Sequence, residues 1–289
     1  MCSSDLEGQA LVQGVRRHGR VFQIGTQLRS HRLVKRLCEL VRNGAIGKVR
    51  HALVGLPAGG HIPPQPTMPV PEGFDYDLWL GPAPFAPYTK LRCHNTFRAI
   101  LDYSGGPVTD LGTHYLDVMQ WAMGLDLTGP VEIQGQGDFD HYGLSDIAQS
   151  YQFTLKYANG FEADCSTNHP WGVRWEGETG WIYVPLGGPG PETSPKTQVP
   201  AFSDPAILQT TLPDTAVWFH PSLDHHQAFI DCVRTRARPA APIESGHRAT
   251  STCHLANIAM RLGRKVRWNP ELESFVGDES ANQMRSRAM

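Results

Sequence analysis

The order of elements along the chain predicts a remnant of an α/β domain with a residual parallel sheet, followed by an α+β domain on a largely antiparallel sheet. Three observations carry that expectation. The chain opens with a helical pattern that feeds a strand and then a second helix, with no strand and no glycine-rich turn ahead of them. From residue 131 onward, strand patterns follow one another directly. Helical patterns then return near the C-terminal end.

Composition bounds the function classes. A chain of 289 residues can bury a sizeable core, and 40% hydrophobic with 19% charged residues is a globular balance rather than a disordered one. The formal net charge of −2 argues against a nucleic-acid binder, which would show a basic face. No apolar stretch is long enough to cross a bilayer. The six cysteines include no C-x-x-C pair, so they read as free thiols in a reducing compartment rather than a disulfide framework or a metal site.

Each element has a local cause. Glu7 to Gly19 places Ala10, Leu11 and Val15 on one helical face, with Gly19 as the stop. Residues 20–25, RVFQIG, favour a strand. Residues 31–44 form a second amphipathic helix with Leu33, Leu37 and Val41 on its stripe, and KVRHALVGLP reads as a strand. Pro57 to Pro87 is long and proline-rich, but its Phe74, Tyr76, Trp79 and Phe85 favour an ordered loop that packs or binds. A helix follows the Gly105-Gly106 pair and runs to residue 124. Strands are expected in VEIQGQGDF, and YQFTLKYANGFEADC is a hairpin signal with alternating arms and Asn159-Gly160 at its turn. WEGETGWIYV adds a strand pair. After an excursion from Pro185 to Pro200, two helices follow, around HHQAFIDCVRTR and SGHRATSTCHLANIAMRLGR.

Asp110 and His114 are the sharpest chemical signal. Four apart on a helix, they share a face, and Asp117 lies one turn further on. Imidazole beside carboxylate suits proton transfer, because histidine titrates near neutrality and the acid fixes its tautomer. The glycine pair ahead of the helix allows backbone to approach a ligand closely. A surface ion pair is the bland alternative; metal binding is another, although no third ligand is evident.

The segment GGPVTDLGTHYLD resembles the GGGxLxDxGxHxxD signature of the Gfo/Idh/MocA oxidoreductases, with Pro107 replacing one glycine. EGQALV…RVFQIGTQLRS is similar to the helix and strand that follow that family's Glu-Lys-Pro motif. YDLWLGPAP resembles its interdomain loop, and SGHRATSTCHLANIAMRLGRKVRW its C-terminal helix and strand. The resemblance implies the C-terminal remnant of a Rossmann domain over residues 1–45. A substrate-binding and oligomerisation α+β domain with a large, mostly antiparallel open sheet would then span 46–289. It implies hydride transfer with NAD or NADP on a sugar or cyclitol hydroxyl or carbonyl. His114 would be the acid/base and Asp110 its assistant. Gln27 and Arg29, just past the 20–25 strand, together with Trp79 and Arg98, would face the cofactor; in place of the family's frequent Trp-Arg pair stands Phe97-Arg98. Lys90, Arg92, His94 and Asn95 are candidates to contact a carbohydrate substrate, and His225 and His226 are weaker ones. No metal site is expected. A homo-oligomer through the open sheet is implied, with Tyr151, Phe153 and Leu155 on the exposed face. Nothing implies a nucleic-acid or membrane partner. The compartment would be the cytoplasm, or the far side of a twin-arginine export route.

The departures shape the rivals. No G-x-G-x-x-G occurs in the sequence, and neither that turn nor the Glu-Lys-Pro lysine is present. The first six residues, MCSSDL, resemble the translated end of a sequencing adapter, so an assembly artefact is expected there and the chain is expected to begin in mid-fold. On that expectation the chain binds NAD(P) weakly or not at all and is inactive alone. The alternatives are an NAD-dependent glycosidase or epimerase that oxidises transiently, a non-catalytic sugar-binding scaffold and, more remotely, a metal-dependent hydrolase.

Overall fold

A computed structural model describes residues 5–139, 141–186 and 199–286. Helices α1 (Asp5–Arg17) and α2 (Arg32–Arg42) lead into strand β1 (Val49–Gly55). The proline-rich loop holds one short helix, α3 (Tyr76–Leu80), and α4 (Leu111–Met123) follows it. Five strands come next: β2 (Glu132–Gly137), β3 (Tyr151–Lys156), β4 (Glu162–Ser166), β5 (Gly172–Gly177) and β6 (Trp181–Pro185). Strand β7 (Ala201–Phe202), helices α5 (His225–Thr235) and α6 (Ile243–Leu262), strands β8 (Val266–Asn269) and β9 (Ser274–Phe275), and α7 (Glu279–Gln283) complete the order.

One nine-stranded sheet runs β7-β6-β5-β1-β4-β3-β2-β8-β9. Among the described residues its parallel pairing is β1 with β4, and its other ladders are antiparallel. The predicted hairpin forms, with Gln152 opposite Ser166 through Lys156 opposite Glu162, and Tyr157 and Phe161 close it around a three-residue loop, 158–160. Gly160 takes φ +82 at its turn, a left-handed conformation that favours glycine.

α4, α6 and α2 pack on one face of the sheet, and α1 packs on α6. The core between them includes Leu116, Met119, Ile133, Leu155 and Trp175, all fully buried. Each buried aliphatic side chain contributes roughly 1.5–3 kcal/mol of transfer free energy.

Three expectations are corrected. Residues 20–25 form no strand, and no residual parallel sheet accompanies the main one among the described residues. Gln23 makes a single bridge to Pro242, and the Ile24 N–H donates to the Ala241 carbonyl at 2.9 Å. Proline has no N–H to return, so the ladder cannot propagate. The buried stripe of α1 is Gly8 and Val12, facing α6, and Ala10 is exposed. Tyr151, Phe153 and Leu155 are buried, not exposed, because the strand alternates and its apolar side faces the helices. Gln152, Thr154 and Lys156 take the outer face instead. Residues 1–4 and most of the excursion after Pro185 lie outside the described residues; Asp5 is buried, accepting from Ser251 Oγ at 2.5 Å and paired with Arg285 at 2.8 Å.

Candidate active site

The expected helix starts late, and that delay builds the site. Gly106–Val108 is a 3₁₀ turn, and α4 proper begins at Leu111. Gly106 takes φ +70 against Ile147, and the Gly105 carbonyl accepts from Asn257 Nδ2 at 2.8 Å. The close approach that the glycine pair allows is therefore to α6 and Ile147. Asp110 is the residue before α4, yet its side chain makes no capping hydrogen bond. Its Oδ2 pairs with Arg98 Nε at 3.0 Å instead. Arg98 also donates to Asn95 Oδ1 at 3.1 Å and lies over the Phe97 ring. Asn95, Arg98 and Asp110 are thus one linked group, carried on the turn His94–Ala99 and held against the start of α4.

His114 follows one turn later. Its Nδ1 is buried with no hydrogen-bond partner among the described residues, which leaves Nε2 as the ring nitrogen for a ligand. Burial lowers its proton affinity, opposed by the charges of Asp117 and then Asp110. Asp117 lies one further turn along the same face and is wholly buried. Arg29 grips it with two hydrogen bonds, Nε to Oδ2 at 2.8 Å and Nη2 to Oδ1 at 2.7 Å. Arg29 also reaches Asp126 at 3.1 Å and lies over Trp121. The resulting line is Arg98–Asp110, His114, Asp117–Arg29: an imidazole between two carboxylates, each held by an arginine from a different segment.

The other expected residues are placed differently. Arg29, expected at a cofactor, is 3% exposed with its guanidinium committed to Asp117 and Asp126. Trp79 packs into an aromatic cluster, parallel to Tyr76 and edge-on to Tyr103. Arg92 donates to the Tyr103 hydroxyl at 3.2 Å from beside that cluster. Gln27, Lys90 and His94 are exposed, and His94 takes a left-handed φ of +56. His225 joins α5 to the segment before α2, through Ser30 Oγ at 3.0 Å and the Ile24 carbonyl at 2.9 Å. Asp117 was visible from its spacing, but its arginine partner, 88 residues away, carries no local signal.

The described residues also hold a group with metal-ligand spacing, Asp5, His247 and Glu273, with donor atoms within 4.8 Å of one another. Its carboxylates are neutralised by Arg285 and Arg248, and His247 bonds Glu273 at 2.6 Å. It is a closed ion-pair network tying α1 to α6. No strand among the described residues leads through a glycine-rich turn into a helix, so the residues present do not fit a dinucleotide pyrophosphate.

The model of an oxidoreductase family's C-terminal alpha/beta domain, that of the Gfo/Idh/MocA proteins, matches residues 60–289. Among solved structures, the aldose-aldose oxidoreductase from Caulobacter crescentus complexed with glycerol superposes with a TM-score of 0.60 at 19% identity, over 92% of this chain and 70% of that one. The WlbA dehydrogenase from Chromobacterium violaceum, in complex with NADH and UDP-GlcNAcA, gives 0.59 at 17% identity over 93% and 69%. An oxidoreductase from Agrobacterium radiobacter in complex with NAD+, L-tartaric acid and magnesium gives 0.56 at 14% identity over 91% and 70%. At these identities the likeness is one of fold. A comparison with curated proteins found no match.

Proposed function

The chain belongs to the Gfo/Idh/MocA oxidoreductases, and from that premise we propose that it is the substrate-side part of an NAD(P)-dependent enzyme acting on a sugar or cyclitol hydroxyl or carbonyl. The observation that carries this reading is His114, half-buried with its Nδ1 closed off, between two carboxylates that are each paired with an arginine. A nicotinamide cofactor would supply the hydride chemistry. On the protein's side, His114 Nε2 takes the proton of a substrate hydroxyl, or returns it to a carbonyl oxygen. Neutral imidazole is the form that accepts, and burial favours that form. Asp110, aligned by Arg98, holds negative charge beside the imidazolium that forms. Lys90, His94 and Asn95 remain candidates to contact substrate hydroxyls, and Gln27 to contact the cofactor.

In this reading residues 1–45 belong with a dinucleotide-binding domain and 46–289 form the substrate and oligomerisation domain. The outer face of the sheet is proposed as the homo-oligomer contact. The test compares calorimetric titrations of the 289-residue chain and a chain extended upstream through a glycine turn and lysine, using NAD(H) and NADP(H). Binding by the extended chain alone supports the reading; tight binding by the 289-residue chain overturns its division of labour. With the extended chain, His114→Ala is expected to slow sugar turnover by about 10²–10⁴-fold. Turnover without net cofactor consumption would reassign the activity to transient oxidation.

A further inference from the structure

We propose that Arg29 is a positioning residue for His114: its two-pronged grip fixes the Asp117 carboxylate one turn along from the imidazole and so sets how tightly the ring binds its proton. The proposal takes His114 as the proton carrier and goes beyond that reading by naming what tunes it. Asp117 has no exposed surface, and an unpaired carboxylate there would take up a proton rather than stay charged. Arg29 prevents this with a two-pronged grip. The guanidinium is itself fixed by Asp126 and by the face of Trp121.

His114 and Asp117 are three residues apart on α4 and therefore neighbours on one face. The ring makes no hydrogen bond to the described residues, so burial and nearby charge decide its proton affinity. The two flanking ion pairs differ in weight. Arg98–Asp110 is partly exposed, 44% and 27%, and water and salt screen it. Arg29–Asp117 is 3% and 0% exposed, and its charges are screened much less. Behind Asp117, α2 contributes Cys38, beside both Arg29 and Asp117, and Glu39, paired with Lys35 at 3.9 Å. Asp126 is a second carboxylate on Arg29, at 3.1 Å.

The experiment is an NMR pH titration of the His114 ring, assigned among the thirteen histidines by comparison with H114Q. It needs no substrate or cofactor. D117N, which removes the charge while Asp126 still pairs with Arg29, is expected to lower the midpoint by about one pH unit. R29M is expected to lower it too, because the orphaned carboxylate protonates, and R29K to hold it near the unaltered protein's value. A site merely loosened by these changes would admit water and raise the midpoint toward 6.5, which overturns the proposal, as does no movement. A measurement on the unaltered protein covers variants that do not fold. In it, a small through-space step in the Asp117 carboxyl ¹³C shift should track the His114 midpoint, and the absence of any step there overturns the proposal. If the titrations behave as expected but His114→Ala leaves turnover intact, the functional reading fails and this linkage stands.

Discussion

His114 carries the site because of what it lacks among the described residues: a hydrogen bond at Nδ1, and full access to water. Its lowered proton affinity has a consequence for stability. Between the ordinary value of 6.5 and the lower folded value, the unfolded chain binds a proton that the folded protein does not. The contribution of His114 is therefore fully present above about pH 6.5 and is lost as pH falls below it. Urea midpoints at pH 7.5 and 5.5 should separate less in H114Q than in the unaltered protein. An equal separation would show that His114 is not the group responsible. The Asp110–Arg98 pair is exposed enough that D110N should change stability by no more than about 1 kcal/mol, so a large effect of that variant on turnover would be chemical.

At the level of elements, two predictions follow from which side of a strand a residue occupies. Leu155 is fully buried under the helices and Thr154 is partly exposed on the outer face. Leu155→Ala should cost about 2–5 kcal/mol in denaturant unfolding, well above the cost of Thr154→Ala. The reverse order would mean that the strand is turned over. His51 lies on the outer face in mid-sheet, with Nε2 to Asp164 of β4 at 3.0 Å and Nδ1 to Glu176 of β5 at 3.1 Å. Burial lowers its proton affinity, but the two carboxylates outweigh burial and raise it. Its sign is opposite to that of His114. The contribution is present below about pH 6.5 and is lost as pH rises through the raised folded value. H51Q should therefore be less stable than the unaltered protein at pH 6 and nearly equal to it at pH 8.5, by thermal or urea unfolding. A deficit of the same size at both values would point to lost packing instead.

For the molecule as a whole, the open question is how a domain with one large sheet presents its two faces. One face is closed by α2, α4 and α6. On β2, β3 and β4 the other carries Gln134, Gln136, Gln152, Thr154 and Asp164, and on β1, β5 and β6 it carries Leu53, Trp181 and Tyr183 beside Arg174. If copies of the chain meet on it, they do so through these side chains and not through Tyr151, Phe153 and Leu155, which lie under the helices. Thr154→Arg at the middle of that face should then convert an oligomer to monomer in light scattering, and an unchanged mass would move the contact elsewhere. No described helix is long and apolar enough to cross a membrane.

The sequence by itself determined the local events. The Asn159-Gly160 pair marked where the hairpin turns, and the spacing of Asp110, His114 and Asp117 put three ionisable groups in line along the start of α4. These were legible because they depend on residues a few positions apart and on periods of two and 3.6. Tertiary structure decided everything that required a partner distant in sequence. RVFQIG has strand propensity, but its neighbour in space offers Pro242, so propensity had no ladder to join. The alternation of Tyr151, Phe153 and Leu155 was plain; which face met water depended on where α4 and α6 packed. Arg29 read as a residue awaiting a ligand and became the counter-ion of a buried carboxylate 88 residues away. Pairing and burial are properties of the folded chain, and local pattern cannot carry them.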